Sequence, residues 1–166
     1  SLKNIKNKII LFKQKLFYYK FNLKLDSFQW FGTKACRKVN LLSPQWLRNV
    51  KDKKYPFWRV DSLFSITKYQ DIYFIKNGGW HFSYMKTAKN IEKKLTSYLH
   101  HREYDLEPIG EDKIQKMIMS KKPVYNLRAD MKKSKFSGGE ELTVTKMDEL
   151  PRYIKNNLDK YKQWLE

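Results

Sequence analysis

Three histidines, His81, His100 and His101, are the side chains of this sequence that titrate near neutral pH. His81 follows Gly78, Gly79 and Trp80 at the start of an apolar run. Glycines there let backbone approach a ligand closely, and an imidazole beside them can ligate a metal or a phosphate. His101 and Glu103 stand two positions apart just past the end of an expected helix, a pairing that suits general-base work or metal binding. Trp30, Trp46, Trp58 and Trp80 sit beside Gly, Pro or Arg, where flat indole faces can stack on sugar rings or bases. Arg48 and Arg59 could clamp a diphosphate. Each candidate has a plain structural alternative: a strand histidine in a core, a solvated helix end, a packed tryptophan, a surface arginine. Cys36 has no base adjacent in sequence and reads as a small buried apolar residue.

The elements that must hold these residues are legible from periodicity. Tyr19, Phe21, Leu23 and Leu25 alternate with Lys20, Asn22 and Lys24, which predicts a half-buried strand. Ile9 to Leu16 extends it or forms a neighbour, and Thr33 to Val39 follows Gly32 as another short strand. Ser43 and Pro44 mark a helix start, with Trp46, Leu47 and Val50 on its apolar side. An aromatic, proline-marked stretch from Tyr55 to Arg59 precedes a turn of helix at Asp61. Asp71 to Ile75 and Trp80 to Met85 read as strands, and the Asn77-Gly78 pair between them predicts a hairpin. Thr87 caps a helix with Ala88, Ile91, Leu95 and Leu99 on one side. A second helix runs from Glu111 to Ser120, with Ile114, Met117 and Ile118 inward, and stops before Pro123. Residues 132–141 (KKSKFSGGEE) predict a flexible loop. Residues 148–166 predict a C-terminal helix carrying Ile154, Leu158, Tyr161 and Leu165 on one face. The order predicts an α/β or α+β chain, organised as a single domain over residues 1–166.

Composition bounds the function. The 166 residues carry 35 Lys+Arg against 17 Asp+Glu, a formal net charge of +18, with 41% hydrophobic and 16% aromatic residues. That is enough apolar material for a packed core, so wholesale disorder is excluded. A single cysteine excludes an internal disulfide framework and a cysteine-based zinc site. The longest clean apolar run, Ile9 to Phe12, is far short of the roughly 20 residues that span a bilayer. Lysines interrupt the first 24 positions, so no signal peptide is expected, and the composition suits a reducing, cytoplasmic compartment. The positive surplus suggests polyanion partners, yet only six of the basic residues are Arg. Base-reading surfaces favour arginine, so nucleic acid is disfavoured and peripheral contact with an anionic membrane stays open. P-loop, GxGxxG, HExxH, GxSxG and Asp-x-Asp patterns do not occur.

The run Asn77-Gly78-Gly79-Trp80-His81-Phe82-Ser83-Tyr84-Met85 resembles the signature of glycosyltransferase family 17, the β-1,4-mannosyl-glycoprotein β-1,4-N-acetylglucosaminyltransferase family. Further pieces follow in the family's order: Gly32-Thr33-Lys34 with Cys36 close behind, Ser43 to Asn49, Tyr55 to Arg59, and Ser97 followed by His101-Arg102-Glu103-Tyr104. The resemblance covers about residues 10–105. It implies a GT-A-like fold, here the C-terminal part of such a domain, with a mixed sheet and flanking helices. It also implies UDP-N-acetylglucosamine as donor, a glycan or lipid-linked acceptor, Mn²⁺ or Mg²⁺ as cofactor, and inversion at the anomeric carbon. By position, His81 would touch the metal or the diphosphate, and Glu103 would be the base or hold the acceptor, supported by His101. Asp61 is the reserve base. Trp58 and Trp80 would stack on sugars, Arg59 and Lys34 would face phosphate, and Gly78 and Gly79 would admit the donor or acceptor.

The family carries an acidic Asp-Val-Asp-Glu-like motif upstream, and this chain begins at about the residues that would follow it. Asp26 stands alone in the first 30 positions. The expectation is therefore a partial domain, whose activity as this chain alone is in question. An open sheet edge would then invite self-association. The alternative of a different class is a non-catalytic basic module that binds nucleic acid or an anionic membrane.

Overall fold

The computed structural model describes residues 4–97, 101–127, 135–136 and 139–166, with the side chains of His101 and Glu103 outside that set. The strands are β1 (Ile9–Phe12), β2 (Gln14–Tyr18), β3 (Leu23–Trp30), β4 (Lys34–Cys36), β5 (Ile72–Ile75), β6 (Trp80–Ser83) and β7 (Thr143–Val144). The α-helices are α1 (Pro44–Asn49), α2 (Ala88–Ser97), α3 (His101–Leu106), α4 (Gly110–Met119), α5 (Arg152–Lys155) and α6 (Leu158–Tyr161). Among the described residues the strands form two sheets, ordered β4-β1-β5 and β6-β2-β3-β7, with helices beside them. The chain is thus mixed α and β. Sequence predicts one domain over 1–166; the contacts group the chain into two compact units, Ser1–Lys15 with Gln29–Gly79, and Leu16–Phe28 with Trp80–Glu166.

In the first unit β1 runs antiparallel to β4, pairing Ile9 with Cys36, and parallel to β5, pairing Ile9 with Ile72. Its core is Ile9, Leu11, Trp46, Val50 and Ile72, with Cys36 packed against it. Helix α1 begins as expected: the Ser43 hydroxyl accepts from the Trp46 N–H at 3.0 Å, and Pro44 takes the first helical position. The helix delivers Trp46 to the core, and the indole N–H donates to the Ile66 carbonyl at 2.6 Å. The outer strands β4 and β5 are three and four residues long, short edges that give little template for another chain.

The second unit has a core at Phe17, Leu150 and Ile154, and Phe21, Phe82, Leu158, Tyr161 and Leu165 pack against it. Helices α2 and α4 pack together. Ala88, Ile91, Leu95, Ile114 and Met117 are buried, as their 3.6-residue period requires, whereas Leu99 lies outside the described residues. Helix α4 ends before Pro123 by a local device: Lys121 adopts φ 52°, its N–H donates to Ile118, and the Lys122 N–H donates to Met117. That is a Schellman motif, with a lysine in the left-handed position glycine usually fills.

Three expectations need correction. The alternating stretch from Tyr19 to Leu25 is not one strand. Tyr19 takes φ 61°, the chain turns through residues 19–22, and β3 starts only at Leu23. The alternation does not hold through the turn, which is itself packed, with Asn22 of the expected outer face buried alongside Tyr19. Asn22 justifies its burial by bonding at both ends: its amide donates to the Glu166 carbonyl at 3.1 Å and its side-chain oxygen accepts from the Glu166 N–H at 2.8 Å.

Nor do the strands flanking Asn77 and Gly78 make a hairpin, for β5 and β6 belong to different sheets. Asn77 at φ 52° and Gly79 at φ 120° do turn the chain. The turn is tied to the end of β1 instead: the Gly78 N–H donates to Lys13 at 2.7 Å, and a Cβ on Gly78 would lie 2.7 Å from the Phe12 Cβ. The helix expected over 148–166 is a series of short pieces. Its apolar face is real, but the chain is broken at Pro151 and again at Asn157, whose amide donates to the Tyr153 carbonyl, the acceptor a continuing helix would use. The loop expected over 132–141 lies partly outside the described residues; of it, 135–136 and 139–141 are described and carry neither helix nor strand, and Phe136 is buried with its ring 5.5 Å from that of Tyr104.

Candidate functional site

The motif strand β6 positions the strongest chemistry of the second unit. Phe82 points into the core, its ring 5.3 Å from Phe17 and 5.1 Å from Phe21. Strand alternation therefore sends His81 and Ser83 to the opposite face. There the half-buried His81 feels Lys94 of α2. Burial first, and the Lys94 charge second, lower the imidazole pKa below its ordinary 6.5, so His81 is neutral at pH 7.

Lys94 reaches this face because it lies three positions after the buried Ile91 and one before Leu95, at the edge of the apolar stripe of α2. Its ammonium lies over the Tyr84 ring at 4.3 Å. Tyr84, at φ 53°, stacks on Tyr18 at 5.8 Å with ring planes 10° apart. Tyr18 in turn meets Tyr19 edge-on, and the Tyr19 hydroxyl donates to the Lys122 carbonyl at 2.9 Å. Burial drives the phenols of both Tyr18 and Tyr19 far above the usual range, so they are neutral packing groups. Lys94 itself is lowered by partial burial and by the like charge of Lys86. His81, Lys86, Lys94 and Tyr84 make a cationic, aromatic-backed patch, and among the described residues no carboxylate pairs with Lys94. Such a patch suits an anion with several acceptor oxygens.

The Lys94 ammonium acting on His81 disfavours a divalent cation beside that imidazole, and among the described residues no three His, Cys, Asp or Glu side chains gather so as to hold a metal. Trp80, 40% exposed, is fixed by its indole N–H donating to the Glu149 carbonyl at 2.7 Å. His101 and Glu103 belong to α3, two positions apart within a helix and not beyond a helix end. Tyr104 is structural: its hydroxyl donates to Glu92 at 3.2 Å and accepts from the Gly110 N–H at 3.2 Å.

The remaining expected residues lie in the first unit. Lys34 donates to the carbonyl of Arg48 at 2.7 Å and to that of Val50, so its charge sits at the C-terminal end of α1. Burial lowers its pKa. Arg59 grips Asp61 through two bonds of 2.7 and 2.8 Å, and Lys68 adds a third at 2.6 Å. These cations hold the Asp61 carboxyl far below the usual range, which makes it a poor proton acceptor. Trp58 stands exposed with Phe57 edge-on at 5.1 Å. Gly78 and Gly79 meet the chain's own β1 end and turn geometry, which accounts for both glycines.

The fold thus brings Arg59 and Asp61 together, and sets His81 by Lys94, itself near Lys86, two lysines that motif inspection overlooks. Lys86 and Lys94 were missed because a lysine in so basic a sequence carries no signal. The clue was Lys94's place on the border of the Ile91–Leu95 stripe. No α-helix of the described residues is long and apolar enough to cross a membrane. Comparison with protein-family models, with curated proteins and with solved structures returned no match to this chain.

Proposed function

We propose that this chain is the diphosphate- and acceptor-facing part of a GT-A-like glycosyltransferase related to family 17. It would transfer N-acetylglucosamine from UDP-N-acetylglucosamine to a glycan or lipid-linked acceptor with inversion. The observation that carries this is the Asn77–Met85 run together with what surrounds it: His81 next to Lys94 and Tyr84, with Lys86 adding charge. A mixed α/β chain with helices beside its sheets is compatible with the GT-A relationship.

In the reaction the acceptor hydroxyl oxygen attacks the anomeric carbon in line, and the bond from that carbon to the diphosphate breaks. UDP leaves with the electron pair, and the hydroxyl proton passes to a base. The departing diphosphate needs positive charge, which Lys94 and Lys86 supply from fixed positions, while neutral His81 can donate a hydrogen bond to it. Glu103 is the proposed base with His101 supporting it, since Asp61 is held ionised by Arg59 and Lys68. The resemblance implies Mn²⁺ or Mg²⁺, yet the described residues do not fit a divalent cation, and no step here passes through one.

Calorimetric titration with UDP-N-acetylglucosamine, with and without Mn²⁺, tests the proposal. Saturable binding is expected, weakened about tenfold or more by Lys94→Ala, as loss of a charged hydrogen bond of about 1.5–3 kcal/mol requires. Wild type that fails to bind, or His81→Ala and Lys94→Ala variants that bind as tightly as wild type, would overturn it.

A further inference from the structure

The first unit carries a segment that the proposed chemistry does not use. Between residues 57 and 66, Phe57, Trp58, Val60, Leu63, Phe64 and Ile66 are all exposed, Trp58 to 68% and Phe64 to 85%. Six large apolar side chains in ten residues is more than the scattered exposure normal for a surface.

The segment is not a loose strand of chain. Its ends are pinned, the Lys51 N–H donating to Thr67 at 2.8 Å and the Tyr55 N–H to Tyr69 at 3.3 Å. The Trp46 indole holds the Ile66 carbonyl. Inside, the N–H groups of Arg59, Val60, Ser62 and Leu63 donate to Pro56, Trp58, Arg59 and Val60, and the Ser62 hydroxyl donates to the Arg59 carbonyl. Much of the loop backbone is therefore satisfied internally while its apolar side chains face outward. That combination is what entry into a low-dielectric layer demands.

Charge surrounds it. Lys51, Lys53, Lys54, Arg59 and Lys68 stand against two carboxylates, Asp52 and Asp61, over residues 51–68. Asp61 is neutralised by Arg59 and Lys68. Lys53, Arg59 and Lys68 ring the buried Tyr55 at 5.2, 5.9 and 5.6 Å from its centroid, which keeps cations at the base of the apolar tip. Indole and phenyl groups favour the headgroup boundary, and lysines beside them favour anionic headgroups.

We propose that the 57–66 loop is a membrane-docking tip, which inserts Phe57, Trp58 and Phe64 into the headgroup boundary of an anionic bilayer while the surrounding cations bind its lipid phosphates. This stands apart from the transferase proposal, and neither requires the other.

Co-sedimentation of the full 166-residue chain with vesicles decides it. Binding is expected to an equal mixture of phosphatidylcholine and phosphatidylserine, and not to phosphatidylcholine alone. The double variant Trp58→Ser/Phe64→Ser should lose at least about tenfold in affinity, since each ring's burial is removed from the balance. Lys53→Gln/Lys54→Gln should bind more weakly and with less dependence on salt. These side chains are exposed, so an unchanged far-ultraviolet spectrum is expected in each variant. Wild type that remains in the supernatant would sink the proposal. So would a Trp58→Ser/Phe64→Ser variant that binds like wild type, because lysines elsewhere would then carry the attraction. Wild type that runs as a dimer, and becomes a monomer on the same double substitution without lipid, would make the tip a contact between copies and overturn it as well.

Discussion

A surface of each unit sets cations against aromatic side chains, and the two differ in what those cations meet. In the first, the carboxylate of Asp61 is paired with two cations in the open, and large apolar side chains of the 57–66 loop are left in solvent. In the second, Asn22 is buried with both ends of its amide bonded, while Lys94 projects over an aromatic ring with no carboxylate to neutralise it among the described residues. Exposed ion pairs add little stability, and buried bonded amides add more. On the two proposals, the first unit's loop would meet an anionic bilayer and the second unit's patch a diphosphate.

The contrast breaks most decisively in the cores. Ile91 is fully buried on α2, so Ile91→Ala should cost about 2–5 kcal/mol of unfolding free energy in urea titration. Trp58→Ser, at an exposed position, should leave the same urea midpoint nearly unchanged. Equal losses in the two variants would mean that Trp58 is a core residue, and the contrast between the units would fail.

A smaller effect probes the polar interior of the second unit. Asn22→Ala removes both bonds to Glu166 and leaves that residue's N–H and carbonyl without them. A loss of about 1–3 kcal/mol is expected, read as a lower melting temperature. Asn22→Asp, at a pH where its carboxyl is neutral, keeps an acceptor oxygen and puts a single O–H where the amide donor was, so it should fall between wild type and Asn22→Ala there. An Asn22→Ala protein as stable as wild type would remove the claim that this turn is held from within.

The smallest effect concerns pH. The folded chain holds His81 below its ordinary 6.5, so folding favours the neutral imidazole. The unfolded chain then binds the extra proton first, and the stability His81 contributes above about pH 6.5 is lost as pH falls through its lowered folded value. His81→Asn should flatten that part of the urea-midpoint profile relative to wild type. An unaltered slope would place His81 away from Lys94's charge and from burial.

Much of the fold was open to inspection in one dimension. Ser43 and Pro44 start α1, and the Ala88-Ile91-Leu95 and Ile114-Met117 periods mark α2 and α4, because caps and amphipathic faces are local properties. The C-terminal period was equally visible, yet its continuity was not. Asn157 diverts the Tyr153 carbonyl, a competition between side chain and backbone that periodicity does not register. The candidate site divides the same way. His81 announces itself by following two glycines, whereas Lys94 is one among many lysines until α2 brings it to His81 of β6.

The sequence by itself determined the mixed α and β character, the cationic surplus, the capped start of α1, the buried faces of α2 and α4 and the run from Asn77 to Met85. Those depend on residue type and short-range spacing. Tertiary structure alone decided that β5 and β6 join different sheets, that Tyr19 and Asn22 make a buried turn, and that the 57–66 aromatics stay outside. It also decided that His81 sits beside an ammonium. Each of these turns on which distant segment offers a hydrogen-bond partner or an apolar face, and that information exists only once the chain has folded.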